Sequence, residues 1–158
     1  MTDEVVIREC RTSDLDDLPH MVRRMTGRKH DYALLAEREG KVIAAGVYQP
    51  DGNATEPSHP HLRVQPVADA SSLESSSAMI DVLPQLLDRL VQHARERQDE
   101  RVTLSWDPMD QAGLRAVESA GFRAAGGGPY RELGGGIVQY VTGYDDASGA
   151  VIDLQRTL

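Results

Sequence analysis

The sequence predicts a single domain of the α/β (α+β) class, with a mixed sheet of about seven strands and three to four helices. Short β-branched runs alternate with segments of helical periodicity in the order β-α-β-β-β-α-β-α-β-β. The chain has 158 residues, enough for one buried core and few for two domains of ordinary size. Hydrophobic residues make up 40% and charged residues 27%, a balance typical of a folded globular protein. We therefore expect residues 1–158 to form one domain.

The first two predicted elements are a strand and a helix. The β-branched run at 5–8 predicts a strand that ends near Cys10. Helical spacing of Leu, Val and Met follows, and Gly27 is placed to end that helix. Because Pro19 fits only the first turn of a helix, we expect the regular helix to start near Asp16.

Three further strands are predicted before the middle of the chain. The runs at 33–37 and 42–48 flank a turn that contains Gly40, the pattern of a β-hairpin. Residues 61–65 alternate in the manner of a half-buried strand, and Pro66 closes it.

The strongest periodic signal predicts one long helix in the second half. Residues 67–78 are rich in Ser, Ala and Asp and are expected to form a loop. Pro84 then leaves two alternatives: it lies in the first turn with Asp81 as cap, or it kinks a helix that began near Ser76. The apolar face consists of Met79, Val82, Leu83, Leu86, Leu87, Leu90, Val91 and Ala94.

The last third of the chain predicts a strand, a short helix and a hairpin. Residues 102–106 alternate in the manner of a strand. Trp106 and Phe122 are expected to anchor the core. Asp110 caps a short helix, and Gly121 ends it. The β-like runs at 137–144 and 151–154 are expected to pair with each other as a closing hairpin.

Charge and composition exclude several classes of function. The formal net charge of -8 opposes binding to nucleic acid, and it favours cationic small molecules such as amines, unless it serves only solubility. No apolar run approaches the roughly 18 residues of a membrane span, and the acidic start does not resemble a signal peptide. The single Cys10 excludes an internal disulfide. A cytoplasmic protein that contacts neither membrane nor nucleic acid is expected.

Three local patterns, in this order and spacing, carry a resemblance to a known family. They are the stretch 7–15, in which a strand turns into a helix, the strand end 61–66 and the segment 107–122, where a short alanine-containing helix ends in Gly-Phe. Over nearly the whole chain the sequence resembles the GNAT (GCN5-related) N-acetyltransferase superfamily. The resemblance implies transfer of an acetyl group from acetyl-CoA to a primary amine of a small molecule. It also implies a mostly antiparallel, twisted sheet.

The resemblance implies where acetyl-CoA would bind. In the family, the fourth and fifth strands separate and the pantetheine arm pairs with exposed backbone, here that of Leu62, Val64 and Gln65. The family's glycine-rich pyrophosphate turn has no counterpart, since residues 67–81 contain no Gly, Arg or Lys. Asp110 stands where an Asn is common and would meet the cofactor.

Three serines are the candidates to replace the missing glycines. If Ser75, Ser76 and Ser77 begin the long helix, their hydroxyl and N–H groups could hold the phosphates. The alternative is that they cap the helix or line a solvated loop.

His61 is the candidate catalytic base, because a base on the fourth strand would fall near it. The alternative is an incidental surface histidine. The position of the family's usual acid, a tyrosine, is occupied by Val117. His59 and His61 with Glu56 lack the ligands of a metal site, so no metal is expected.

Two questions stay open at the level of sequence. Tyr130, Tyr140 and Tyr144 either line a substrate pocket or belong to the core. A non-catalytic module of the same fold that binds a ligand or a protein is the alternative function. A two-fold homodimer is the expectation from base rates.

Overall fold

The computed structural model describes residues 4–18, 32–52, 59–67, 73–126, 128–135, 137–142 and 149–158, with the backbone alone at 15, 17 and 73–77. A 3-10 helix, Thr12–Asp17, follows the first strand. The two α-helices of this part of the chain are α1 (Leu73–Glu96) and α2 (Gln111–Ser119). The strands are β1 (Val5–Glu9), β2 (Tyr32–Arg38), β3 (Lys41–Gln49), β4 (His61–Pro66), β5 (Arg101–Trp106), β6 (Arg123–Ala124), β7 (Tyr130–Gly134), β8 (Ile137–Tyr140) and β9 (Ile152–Thr157).

Seven strands form the main sheet, in the order β1-β2-β3-β4-β5-β9-β6. The β4–β5 pair is parallel, and all other neighbours are antiparallel. The mixed, mostly antiparallel sheet of seven strands is thus confirmed. Strands β7 and β8 form a separate two-stranded sheet. The described ranges contain fewer helices than the three to four expected, and most of the first predicted helix, beyond residue 18, lies outside them.

The main core lies between α1 and one face of the sheet. Helix α1 presents the predicted apolar stripe, which is buried from Met79 to Ala94. Trp106 and Phe122 are buried in the same cluster, as expected of core anchors. A smaller apolar cluster covers the opposite face at β2 and β3 and includes Leu18, Leu35 and Val47. Both faces of the sheet are therefore covered by apolar side chains at β2 and β3.

Helix α1 begins at Leu73, so the expected loop over 67–78 is wrong from that residue onward. Of the two alternatives for Pro84, the position inside a longer helix is the observed one. Serine and alanine are tolerated in helices, and a first turn propagates readily from a well-packed stripe such as the one that starts at Met79. A serine-rich composition was therefore a poor indicator of a loop.

The expected closing hairpin between 137–144 and 151–154 is wrong. Strand β8 pairs with β7, which the sequence did not reveal, and β9 lies between β5 and β6 in the main sheet. Gly134 and Gly135 have φ values of 92° and 62° and supply the left-handed conformations that the tight β7–β8 turn needs. The hairpin in this region thus forms around Gly134 and Gly135, and not at the later turn before residue 151, where the sequence suggested it.

Candidate active site

Strands β4 and β5 separate soon after they meet. Their register pairs His61 with Thr103 and Leu62 with Leu104, whereas β4 continues to Pro66 and β5 to Trp106. We call the opening beyond the second pair, between 63–66 and 105–106, the strand gap. It opens inside the sheet, so its walls are backbone edges without a neighbouring strand.

The backbone groups of β4 alternate between its two neighbours. The N–H of Val67 donates to the carbonyl of Ile43, beside β3, at 3.1 Å. On the other side, the N–H of Thr103 in β5 donates to the carbonyl of Pro60 at 3.0 Å. Because successive residues of a strand point their backbone groups to opposite sides, odd-numbered residues of β4 face β3 and even-numbered ones face β5.

This alternation sorts the three residues that were predicted to meet the pantetheine arm. The backbone groups of Leu62 and Val64 point toward β5, and those of Val64 open into the strand gap. Gln65 is in register with Ala45, and its backbone groups point to β3. The expectation that the backbone of Gln65 faces the gap therefore does not fit the register. Leu62 is paired with Leu104 of β5, so of the three only Val64 has backbone groups that open into the gap.

Five polar side chains lie together at the apex of the strand gap, on the face away from α1. Two hydroxyls donate to Asp153 Oδ1, from Ser105 at 2.9 Å and from Tyr130 at 2.5 Å. His61 Nε2 is 3.4 Å from the Ser105 hydroxyl, and its Nδ1 is 2.8 Å from that of Thr103. We call these five residues the gap cluster. They come from β4, β5, β7 and β9.

The donor inventory assigns the protons of the gap cluster. A carboxylate only accepts, so Ser105 gives its proton to Asp153 and its oxygen can only accept from His61. The contact to Nε2 is then a hydrogen bond when Nε2 carries the proton, and Nδ1 accepts from Thr103. In that tautomer the hydrogen bonds run from Thr103 through His61 and Ser105 to the carboxylate of Asp153. The Thr103 hydroxyl also lies 3.4 Å from the carbonyl of Pro60, its alternative acceptor.

His61 is buried, with 2% of its surface exposed, which corrects the expectation of a surface histidine. Burial lowers the pKa of its ring to about 4, with the nearby Arg63 cation acting in the same direction and Asp153 against it. The ring is consequently neutral at pH 7. The contacts with Thr103 and Ser105 replace the hydrogen bonds to water that the two ring nitrogens lose on burial.

Asp110 is tied to local structure at both oxygens. One oxygen accepts from the N–H of Gly113 at 3.1 Å, as predicted for a helix cap, and the other accepts from the indole of Trp106 at 3.0 Å. A Cβ at position 113 would lie 2.2 Å from this carboxylate and 2.6 Å from the indole nitrogen, which explains the glycine there. Gly121, with φ of 96°, follows the helix as expected.

The three serines lie within the first turns of α1 and not at its first residue. Ser75 is the third residue of the helix, and Ser76 and Ser77 are the fourth and fifth. In an α-helix the N–H groups of the first residues lack an internal partner, whereas later ones donate to the carbonyl four residues back. Of the three, only Ser75 is close enough to the start of the helix for its backbone N–H to have no acceptor within the helix.

The other histidine and the tyrosines are placed as follows. His59 Nε2 accepts from Arg101 at 2.6 Å, while Glu56 lies outside the described residues. The rings of Tyr130 and Tyr140 are 6.0 Å apart, the first buried and the second 53% exposed, and Tyr144 lies outside the described residues.

Among the residues that the structure describes, no three His, Cys, Asp or Glu side chains are grouped to hold a metal ion. No helix in this part of the chain is long and apolar enough to span a membrane.

Sequence reasoning missed most of the gap cluster. Thr103 and Ser105 alternate with the apolar residues of β5, and Asp153 stands between Ile152 and Leu154. Polar residues on the second face of a central strand are a usable signal, because such a face is normally buried. Tyr130 gave no such signal, since β7 was not predicted.

The chain has the fold of the GNAT acetyltransferases. No protein-family model matches its sequence, and no curated protein does. Among solved structures, a ribosomal-protein-alanine N-acetyltransferase from Brucella melitensis matches with a TM-score of 0.63 at 20% identity, covering 97% of this chain and 99% of the other. A GNAT family acetyltransferase from Elizabethkingia anophelis with acetyl-CoA bound matches at 0.59 and 14%, covering 99% and 100%. AAC(6')-Ib in complex with ribostamycin and coenzyme A matches at 0.59 and 14%, covering 98% and 94%.

Proposed function

On this GNAT fold, we propose that the protein is an N-acetyltransferase that moves an acetyl group from acetyl-CoA to a primary amine of a small molecule. The observation that carries the proposal is the strand gap with a partly buried cluster of His, Ser, Asp and Tyr side chains at its apex. A sheet edge binds an extended amide-containing chain, and the cluster supplies groups that exchange protons beside it.

The strand gap fits the arm of acetyl-CoA. The backbone N–H and C=O of Val64 point into it and can pair with the amides of pantetheine in the manner of an added strand. Two similar structures were determined with acetyl-CoA or coenzyme A, which supports this use of the fold. At the start of α1, the backbone N–H of Ser75 and the positive end of the helix dipole favour the pyrophosphate.

The gap cluster can manage the protons of acyl transfer. A neutral amine attacks the thioester carbonyl, the C–S bond breaks, the nitrogen loses one proton and the departing thiolate gains one. A ring with a pKa of about 4 is a weak base at pH 7, so we assign His61 the orientation of Ser105 and Asp153 the uptake of the proton through that hydroxyl. This keeps His61 in the mechanism as part of a relay.

Tyr130 takes the role of the acid in this proposal. Position 117, where the family's tyrosine is expected, holds a fully buried valine. The Tyr130 hydroxyl reaches the apex from a different element and lies 3.3 Å from Ser105 Oγ. It can return a proton to the thiolate as Asp153 becomes protonated.

The alternative proposal is a non-catalytic module of the same fold. It is motivated by residues 67–81, where the pyrophosphate turn would lie and where acidic residues occur without Gly, Arg or Lys. Negative charge there opposes the phosphates, and the strand gap could then hold a peptide instead.

Calorimetry with acetyl-CoA separates the two proposals, followed by a thiol-release assay over a panel of primary amines. Micromolar binding and turnover support the acetyltransferase, while no binding at millimolar acetyl-CoA would leave only the module. Ser105→Ala and His61→Gln should lower kcat and leave acetyl-CoA affinity in place. Arg115→Ala, on the exposed side of α2, is the matched control and should change neither.

We also propose a cytoplasmic setting and a homodimer. Cys10 is the single cysteine of the sequence, so no internal disulfide can form, which suits a reducing compartment. Fractionation of cells and light scattering of the purified protein test these two statements.

A further inference from the structure

Arg63 is the first residue of β4 beyond the last pairing with β5. It therefore stands at the edge of the strand gap. Side chains two residues apart in a strand share a face, so Arg63 projects from the same face as His61, about 7 Å further along. Unlike His61, it is exposed.

The guanidinium of Arg63 has no partner in the described part of the chain. Arg8 and Arg38, by contrast, form ion pairs with carboxylates there. Arg63 is still electrically close to the gap cluster, because its charge contributes to the lowered pKa of His61. Among the described residues this cation has no counterion, and its position beside a buried neutral histidine leaves a place for an anion at the mouth of the strand gap.

A carboxylate on the acceptor fits this place better than a phosphate of the cofactor. Helix α1, whose start follows β4, packs on the face that carries Leu62, and Arg63 projects from the other face. The planar guanidinium also matches a carboxylate through two parallel hydrogen bonds. The formal net charge of -8 repels acceptors with an excess of negative charge, whereas a zwitterion is neutral overall.

We propose that Arg63 binds the carboxylate of the acceptor, so that the substrates are amino acids whose amine is directed to the gap cluster. This rests on the proposed acetyl transfer and adds the class of acceptor to it. Arg63 determines specificity without taking part in the chemistry.

The test compares amino acids with the amines that lack only the carboxylate. The probes are phenylalanine with phenethylamine and leucine with isoamylamine, measured by thiol release. The wild-type protein should prefer the amino acid of each pair by about tenfold or more in kcat/KM, and Arg63→Ala should abolish that preference. Arg63→Lys should keep part of the preference, because lysine carries the same charge but cannot form the two parallel hydrogen bonds of the guanidinium. Arg115→Ala should retain the full preference.

Two outcomes overturn the inference while acetyl transfer stands. One is turnover without any preference for a carboxylate. The other is a loss in Arg63→Ala that is equal for both members of a pair or that appears in the KM of acetyl-CoA.

A binding measurement covers the case in which no acceptor turns over. Calorimetry with phenylalanine and phenethylamine then decides. Binding of the amino acid that Arg63→Ala removes would support the carboxylate site and count against the proposed acetyl transfer. Equal or absent binding of both probes would overturn the inference together with the proposed function.

Discussion

Two polar clusters of this molecule are built from the same chemistry. In the gap cluster, Tyr130 donates to Asp153 at 2.5 Å beside the neutral ring of His61. At the end of α1, Tyr48 donates to Asp99 at 2.5 Å beside His93, whose pKa burial also lowers. The second group, with Tyr32, is the helix-end cluster, defined by Tyr32, Tyr48, His93 and Asp99.

The surroundings of the two clusters differ. His93 is enclosed by rings, stacked on Tyr32 at 3.8 Å and edge-on to Tyr48 at 4.8 Å, so the helix-end cluster ties α1 to β2 and β3. The gap cluster instead adjoins backbone edges that no strand occupies. A tyrosine–carboxylate pair beside a neutral histidine thus stabilises the packing of α1 in the helix-end cluster and is a candidate for proton transfer in the gap cluster. Position relative to the strand gap, and not residue type, makes the difference.

The sharpest test of this comparison replaces the two carboxylates by amides. Asp153→Asn should lower kcat by about 100-fold or more, the usual contribution of a base, with a modest loss of stability. Asp99→Asn should leave kcat unchanged and reduce the free energy of unfolding by about 1–2 kcal/mol, because a bond to a charged acceptor is lost. Thiol release and urea unfolding of both variants measure this. Equal losses of activity would remove the distinction between the clusters.

The pH dependence of stability sharpens the comparison of the two histidines. The unfolded chain protonates His61 near its usual pKa of 6.5, and the folded chain only near 4. Stability is therefore present above about 6.5 and is lost as the pH falls toward 4, by about 2–3 kcal/mol at pH 4.5. Urea midpoints from pH 4.5 to 7.5 should show this slope, and His61→Gln should remove most of it. His93→Gln should flatten the slope by less, because its ring is only partly buried.

A third prediction concerns the strand gap itself. Val64→Pro removes an N–H that points into the gap and should weaken acetyl-CoA binding about tenfold, with a limited cost to folding because no strand is paired there. Gln65→Pro removes an N–H that points to Ala45 in β3 and should instead reduce stability. Calorimetry and thermal unfolding distinguish the two. If both variants changed stability alone, the gap would be no binding edge.

The smallest expected effects come from removing single hydroxyls. Tyr130→Phe should lower kcat several-fold to about tenfold, since a water can replace the acid in part. Tyr48→Phe should cost about 1 kcal/mol of stability and leave kcat/KM unaltered, because its hydroxyl interacts with Asp99 and Arg97, away from the strand gap. Thiol release measures the effect of the first variant and urea unfolding that of the second.

The parts of the fold that the sequence predicted have local causes. The hairpin of β2 and β3 follows from two largely apolar runs around Gly40, and α2 follows from the cap at Asp110 and the stop at Gly121. Each signal lies within a few residues of its element. The pairing of β9 with β5 and β6 has no such local signal, which is why the nearer run at 137–144 was chosen wrongly as its partner.

The candidate site was less predictable because its members meet across the chain. His61 could be named from β4 alone, but its ring is buried and hydrogen-bonded against Thr103 and Ser105 of β5. Ser105 and Asp153 are 48 residues apart in sequence and meet in one sheet register. No spacing rule joins such positions. Only the alternation of polar and apolar residues along β5 indicated that one face of this strand carries polar side chains.

The strand gap also divides the chain into two consecutive pieces. Strands β1 to β4 come from the first 66 residues, and β5, β9 and β6 from residue 101 onward. The turn that links α1 to β5, at 97–100, is where the chain passes from one side of the strand gap to the other. Fragments separated at this turn should reassociate through β4, β5 and the surface between α1 and α2. Acetyl-CoA bound in the strand gap, as proposed, would contact both fragments and should stabilise their complex as an added strand would.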